Sequence, residues 1–89
     1  MDLGLTGRIA IVTGGSQGIG KAAAASLVRE GANVAICART QETLDSAAEE
    51  IRAAGDGEVL TISCDMTDPD QVTAMVEEVV AKWGGADIL

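Results

Sequence analysis

Short apolar runs alternate along this chain with longer segments whose apolar residues recur every third or fourth position. Ile9-Ala10-Ile11-Val12 is unbroken, so Arg8 to Thr13 predicts a short buried strand. Gly18 to about Glu30 predicts a helix, with Gly31 placed as its left-handed closing residue. Val34 to Ala38 predicts a second apolar strand. Beyond it, Leu44, Ala47, Ala48 and Ile51 fall at i, i+3, i+4 and i+7, the stripe of an amphipathic helix. Thr40 is its candidate cap, and Gly55-Asp56-Gly57 stops it. Val59 to Cys64 predicts a third strand, with β-branched residues at Val59, Thr61 and Ile62. The third helix has the clearest start: Asp68 as cap, Pro69 at the first helical position and Gln71 three residues after the cap. Val72, Met75, Val76, Val79 and Trp83 form its inward stripe, Gly84-Gly85 ends it, and Ala86-Asp87-Ile88-Leu89 begins a fourth strand.

Strand and helix in strict alternation call for an α/β fold: a parallel sheet with right-handed crossovers and helices on both faces. No linker, repeat or low-complexity tract divides it, so residues 1–89 read as part of a single domain. The sequence stops partway into an apolar strand, without that strand's covering helix. The expectation is therefore an incomplete domain, three βα units and the start of a fourth strand, belonging to a longer protein. Alone, with one side of the sheet lacking its later strands, it is expected to aggregate or stay molten.

Composition narrows the chemistry. The chain has 89 residues, no His, no Tyr and no Phe, and Trp83 is its one aromatic residue. A core of Ala, Val, Ile, Leu and Met suits a tightly packed parallel sheet. Without His or Tyr, the commonest groups for moving protons near neutral pH are missing. The net charge is −8, with acids clustered at Glu42, Asp45, Glu49 and Glu50 and again at Asp68, Asp70, Glu77 and Glu78. These read as solvated helix faces, and the absence of a basic stripe argues against nucleic acid as a partner. Cys37 and Cys64 sit inside apolar runs at a spacing that matches no zinc or redox motif, so they read as reduced, buried thiols. No leader-like start or membrane-length apolar run occurs, and a cytoplasmic setting with no membrane partner is the expectation.

The candidate chemistry lies between the first strand and first helix, in Thr13-Gly14-Gly15-Ser16-Gln17-Gly18-Ile19-Gly20. A glycine-rich turn running from a strand into a helix lets the backbone approach an anion. The free N–H groups and the dipole of the helix start then meet it. Two nucleotide readings compete. Gly15-x-x-x-x-Gly20-Lys21 satisfies most of the P-loop pattern, but that pattern needs Ser or Thr next, to ligate Mg²⁺, and Ala22 stands there. Thr13-Gly14-x-x-x-Gly18-Ile19-Gly20 instead matches the glycine motif of a dinucleotide-binding, Rossmann-type doubly wound sheet.

That motif, Asp65-Met66 after the third strand, and Gly85-Ala86-Asp87-Ile88-Leu89 together resemble the short-chain dehydrogenase/reductase family. The resemblance runs from Gly7-Arg8-Ile9-Ala10 to the last residue and corresponds to roughly the first third of a family member. It implies that Thr13 braces the turn through its hydroxyl and Gly14 permits it. Gly18 and Ile19 would offer N–H groups to the pyrophosphate, while Gly20 lets the helix approach the strand. Ser16 and Gln17 would line the adenosine ribose, and Asp65 and Met66 would read the adenine.

Cofactor choice turns on the end of the second strand. An NAD site places a carboxylate there for the ribose 2′-hydroxyl. Here the residues are Ala38 and then Arg39, and a guanidinium pairs with a 2′-phosphate that a carboxylate would repel. Thr40 could add a hydroxyl contact. NADP is therefore favoured over NAD, although many NADP-using relatives carry a basic residue where Gln17 stands. By the same resemblance the activity is hydride transfer between NADP(H) and an alcohol or carbonyl substrate, in a parent that is a homo-oligomer. The family's catalytic Asn, Ser, Tyr and Lys have no counterpart by motif in these residues, so no catalytic residue is assigned and the chain alone is expected to be inactive. A stand-alone, non-catalytic nucleotide-binding module is the alternative.

Overall fold

The computed structural model describes residues 7–14 and 18–85. They form β1 (Ile9–Thr13), α1 (Gly18–Arg29), β2 (Asn33–Ala38), α2 (Gln41–Arg52), β3 (Val59–Ser63) and α3 (Pro69–Trp83). The three helices and the first three strands appear where the sequence predicts them, with ends moved by a residue or two. The fourth strand expected at Ala86–Leu89 lies outside the described residues.

The strands are parallel, in the order β1-β2-β3. Thr13 is level with Cys37, and Ala38 with Ser63, so the carboxyl ends of the strands lie side by side. Side chains of alternate strand residues point to opposite faces, and this parity sorts the core into two layers. Ala10, Val34, Ile36 and Val59 pack with Ala24 and Val28 of α1 and with Leu44, Ala47, Ala48 and Ile51 of α2. Ile9, Ile11, Ala35, Cys37, Ile62 and Cys64 pack with Met75 and Val79 of α3. Strand β2, with cover on both faces, buries Val34 to Cys37 without a break, which is why its sequence shows no alternation.

The α2 stripe is buried as its spacing predicts, and full burial of Leu44 and Ile51 contributes about 1.5–3 kcal/mol each. The α3 stripe is more graded. Met75 and Val79 are buried, whereas Val72, Val76 and Trp83 are partly exposed. Trp83 is half core and half surface: its Nε1 donates to Glu58 Oε2 at 3.0 Å. Gly31 and Gly84 end α1 and α3 with φ of 88° and 85°.

Two capping expectations need revision. Thr40 has the extended backbone of an N-cap (φ −106°, ψ 115°), but its hydroxyl makes no capping bond. The start of α2 is exposed, so water can satisfy its free N–H groups, and it is Thr43 Oγ1 that donates to the Thr40 carbonyl, at 3.0 Å. Asp68 does cap α3, accepting from Asp70 N at 3.0 Å. Gln71, however, does not return to the Asp68 N–H, which already donates to the Asp65 carbonyl at 3.0 Å. Its Oε1 accepts from Asp65 N at 2.8 Å instead. The first turn of α3 thereby fixes the backbone of Asp65.

Candidate functional site

The sheet's carboxyl edge gathers the described candidate residues. Ligands of open α/β sheets bind at this edge because helix starts and loop N–H groups converge there. Thr13 ends β1, and Gly14 follows with φ 69°, a left-handed turn that costs any residue with a Cβ about 1–2 kcal/mol. Its N–H donates to the Cys37 carbonyl at 2.9 Å, tying the turn to β2. Gly18, also left-handed at φ 54°, leads into α1, and Ile19 beside it is 90 % exposed. Gly20 lies in the first turn of α1. Gly15, Ser16 and Gln17 lie outside the described residues, so the two ribose-side candidates have no geometry here.

Arg39 follows β2 and is open to solvent, its side chain 72 % exposed. Cross-strand bonds hold the backbone around it: Ser63 Oγ donates to the Arg39 carbonyl at 2.9 Å and Cys64 N to the Ala38 carbonyl at 2.8 Å. The guanidinium Nη2 reaches Asp65 Oδ1 at 3.3 Å. That oxygen also accepts from the Thr67 hydroxyl at 2.7 Å and from Thr67 N at 2.9 Å, the latter an Asx turn. First the hydroxyl, then the N–H, and to a lesser degree Arg39 hold the Asp65 carboxyl below the usual carboxylate range. Among the described residues none donates to Asp65 Oδ2. Met66 is 42 % exposed, an apolar surface next to that carboxylate. Thr40, its hydroxyl unused in capping, follows Arg39 in the chain and is exposed.

Arg39, Thr40, Asp65 and Met66 are thus neighbours at the ends of β2 and β3, and Thr13, Gly14, Gly18, Ile19 and Gly20 border the same edge at β1. Ser63 and Thr67 were not legible as site residues. Asp65-x-Thr67 does carry an Asx-turn signal, but Ser63 meets Arg39 only through the strand register. Cys37, beneath the turn, supplies its carbonyl and nothing more: burial pushes its thiol up to about 12, with Cys64 and Glu78 adding to the effect, so it stays protonated. Lys21, the would-be P-loop lysine, points away to α2, where its Nζ meets Glu50 Oε2 at 2.6 Å.

The model of the short chain dehydrogenase family matches residues 8–89. The chain belongs to this family. Among curated proteins, the chain is similar to the hydroxysteroid dehydrogenase-like protein 2 of Bos taurus, 44 % identical over 92 residues, covering 96 % of this chain and 22 % of the bovine protein. Among solved structures it is similar to L-sorbose reductase from Gluconobacter frateurii, complexed with NADPH and L-sorbose. That match has a TM-score of 0.92 at 38 % identity, over 99 % of this chain and 34 % of the reductase. It is also similar to NAD⁺-bound xylitol dehydrogenase, with a TM-score of 0.89 at 32 % identity, over 94 % of this chain and 32 % of that protein. The chain therefore spans about a fifth of the bovine relative's length and about a third of each of these structures. Among the described residues, no helix is long and apolar enough to cross a membrane.

Proposed function

We propose that this chain is the cofactor-binding N-terminal part of an NADP(H)-dependent oxidoreductase, acting on a small alcohol or carbonyl substrate. The nicotinamide that these residues would hold would supply hydride chemistry between an alcohol and a carbonyl carbon. The residues here bind and orient. Gly18 and Ile19 would offer their N–H groups to the pyrophosphate, Asp65 and Met66 would read the adenine, Thr13, Gly14 and Gly20 would shape the turn, and Ser16 and Gln17 would line the ribose. The proton that accompanies the hydride needs a Tyr-type acid/base, and these residues hold no Tyr. It would come from sequence outside residues 1–89, which on their own would be inactive.

The observation that carries the NADP reading is the exposed guanidinium of Arg39, directly after Ala38, which stands where an NAD site would set a carboxylate. Likeness of fold does not decide it, since one of the similar structures holds NADPH and the other NAD⁺. Charge-assisted hydrogen bonds contribute about 1.5–3 kcal/mol each, so Arg39 can separate phosphorylated from unphosphorylated ribose by roughly 10- to 100-fold. The test is calorimetric titration with 2′,5′-ADP and 5′-AMP before and after Arg39→Ala. Affinity for 2′,5′-ADP should fall by that factor while 5′-AMP is nearly untouched. Equal losses for the two ligands would overturn the NADP assignment.

A further inference from the structure

The guanidinium on which the NADP reading rests is already engaged, and the manner of its engagement has a consequence for specificity. Arg39 and Asp65 are each anchored from their own side. Ser63 holds the Arg39 carbonyl at 2.9 Å, and Gln71 holds the Asp65 N–H at 2.8 Å. Their side chains then meet across the gap between the ends of β2 and β3, at 3.3 Å. Arg39 is the third donor on Asp65 Oδ1, and the two Thr67 bonds, at 2.7 and 2.9 Å, are shorter. A charge-assisted pair with free choice of geometry closes to about 2.7–2.9 Å. Thr67 therefore occupies the acceptor that would otherwise bind Arg39 closely.

We propose that Asp65 determines how strongly the site prefers a 2′-phosphate, acting through Arg39 as a positioning residue and as a competing anion. This rests on the reading of Arg39 given above. Asp65 draws the guanidinium toward the adenosine side. A 2′-phosphate that takes up Arg39 must then share it with the carboxylate and sit near a like charge. Thr67, by holding Oδ1, keeps that competitor weak. Removing the Asp65 charge strengthens the preference for 2′-phosphorylated ligands, and removing the Thr67 hydroxyl weakens it. Adenine contacts leave the preference unchanged, because they are common to both probe ligands.

The test is calorimetric titration of the protein as its gene encodes it with 2′,5′-ADP and with 5′-AMP, reading the ratio of dissociation constants. Asp65→Asn should raise the preference for 2′,5′-ADP by about two- to five-fold, the span of an exposed ion pair. Asp65→Glu, which keeps the charge, should return it to the starting ratio, a rescue that a purely structural role would not produce. Thr67→Val should lower it, and it carries the test should Asp65→Asn lose its fold by circular dichroism. On an Arg39→Ala background, Asp65→Asn should bring no gain through Arg39. If Arg39→Ala collapses the ratio while Asp65→Asn leaves it unchanged or lowers it, this inference fails and the NADP reading survives. An unchanged ratio in Arg39→Ala overturns both.

Discussion

Gly57 is glycine for want of space, and replacing it tests how the far end of the sheet is held. A Cβ there would lie 1.8 Å from the Ala32 carbonyl oxygen, 2.9 Å from its carbonyl carbon and 3.3 Å from Val28 Cα. Even a favourable C–H···O contact settles at about 3.3–3.6 Å. From the 1.8 Å starting point, the backbones must therefore part by roughly 1.5 Å (3.3 less 1.8). All three neighbours are main-chain atoms, so no rotamer relieves the clash. Ala32 cannot simply withdraw, because its N–H donates to Leu27 O at 3.0 Å and the next N–H, of Asn33, to Arg8 O at 2.8 Å. The other side is tied as well: Val34 N donates to Glu58 O at 2.8 Å, and Glu58 N to Asn33 Oδ1 at 3.0 Å.

Separating these segments forfeits one or two hydrogen bonds at about 0.5–1.5 kcal/mol each and adds about 1–3 kcal/mol of overpacking. Stiffening the unfolded chain returns about 0.4–1 kcal/mol. Gly57→Ala should therefore destabilise by about 0.5–5.5 kcal/mol, about 3 kcal/mol at mid-range, a large share of the stability of a small domain. The assay is equilibrium urea unfolding of the protein as its gene encodes it, followed by far-UV circular dichroism. The midpoint should drop by about 1 M or more. Gly85→Ala is the control, since a Cβ there meets nothing within 4 Å and φ is not positive. Its midpoint should stay or rise. Equal midpoints for the two variants would refute the steric argument.

Two further outcomes follow from the start of α3 and the Asp65 turn. Asp68→Ala removes the acceptor for Asp70 N and for Gln71 Nε2 and should cost about 0.5–2 kcal/mol, with Asp68→Asn recovering most of it; urea midpoints that do not separate the three proteins would contradict the cap. The Asp65 carboxyl is held below its reference value of 3.8, so its contribution is complete above that pH and disappears as pH falls through the lower folded-state value. The stability deficit of Asp65→Asn should accordingly be level between about pH 5 and 7 and shrink in acid below about pH 4. A deficit undiminished by acid would contradict a charge-based role.

The six described elements were legible because their signals are local. An unbroken apolar run marks a strand covered on both faces, as in β2, and the Leu44-Ala47-Ala48-Ile51 stripe marks one buried helix face. The glycine turn was legible for the same reason, and Gly14 and Gly18 take the left-handed conformations such a turn uses. What escaped depends on register or competition. Ser63 reaches Arg39 only because Ala38 is level with Ser63 in the parallel pair. Gln71 carries a capping-box signal, yet its oxygen goes to Asp65 because the Asp65–Asp68 turn has already taken the Asp68 N–H. Thr40 has the cap's backbone without its hydrogen bond, which no propensity scale distinguishes from a working cap.

The same contrast separates the two nucleotide readings of the glycine loop. By spacing alone, Gly15-x-x-x-x-Gly20-Lys21 left a P-loop open, with Ala22 against it. A P-loop lysine must reach back over the phosphates from the first turn of its helix. Here Lys21 reaches across to α2 and pairs with Glu50 at 2.6 Å, helping to join the two helices that cover one face of the sheet. With that cation paired across the two helices, the described residues bring to the carboxyl edge the helix N-terminus of α1 and the guanidinium of Arg39. One suits a pyrophosphate and the other an anion one strand along the same edge, beside Asp65. A ligand that uses both must carry two separated anionic groups on an extended body. That description matches a 2′-phosphorylated dinucleotide better than a compact triphosphate chelated to a metal ion.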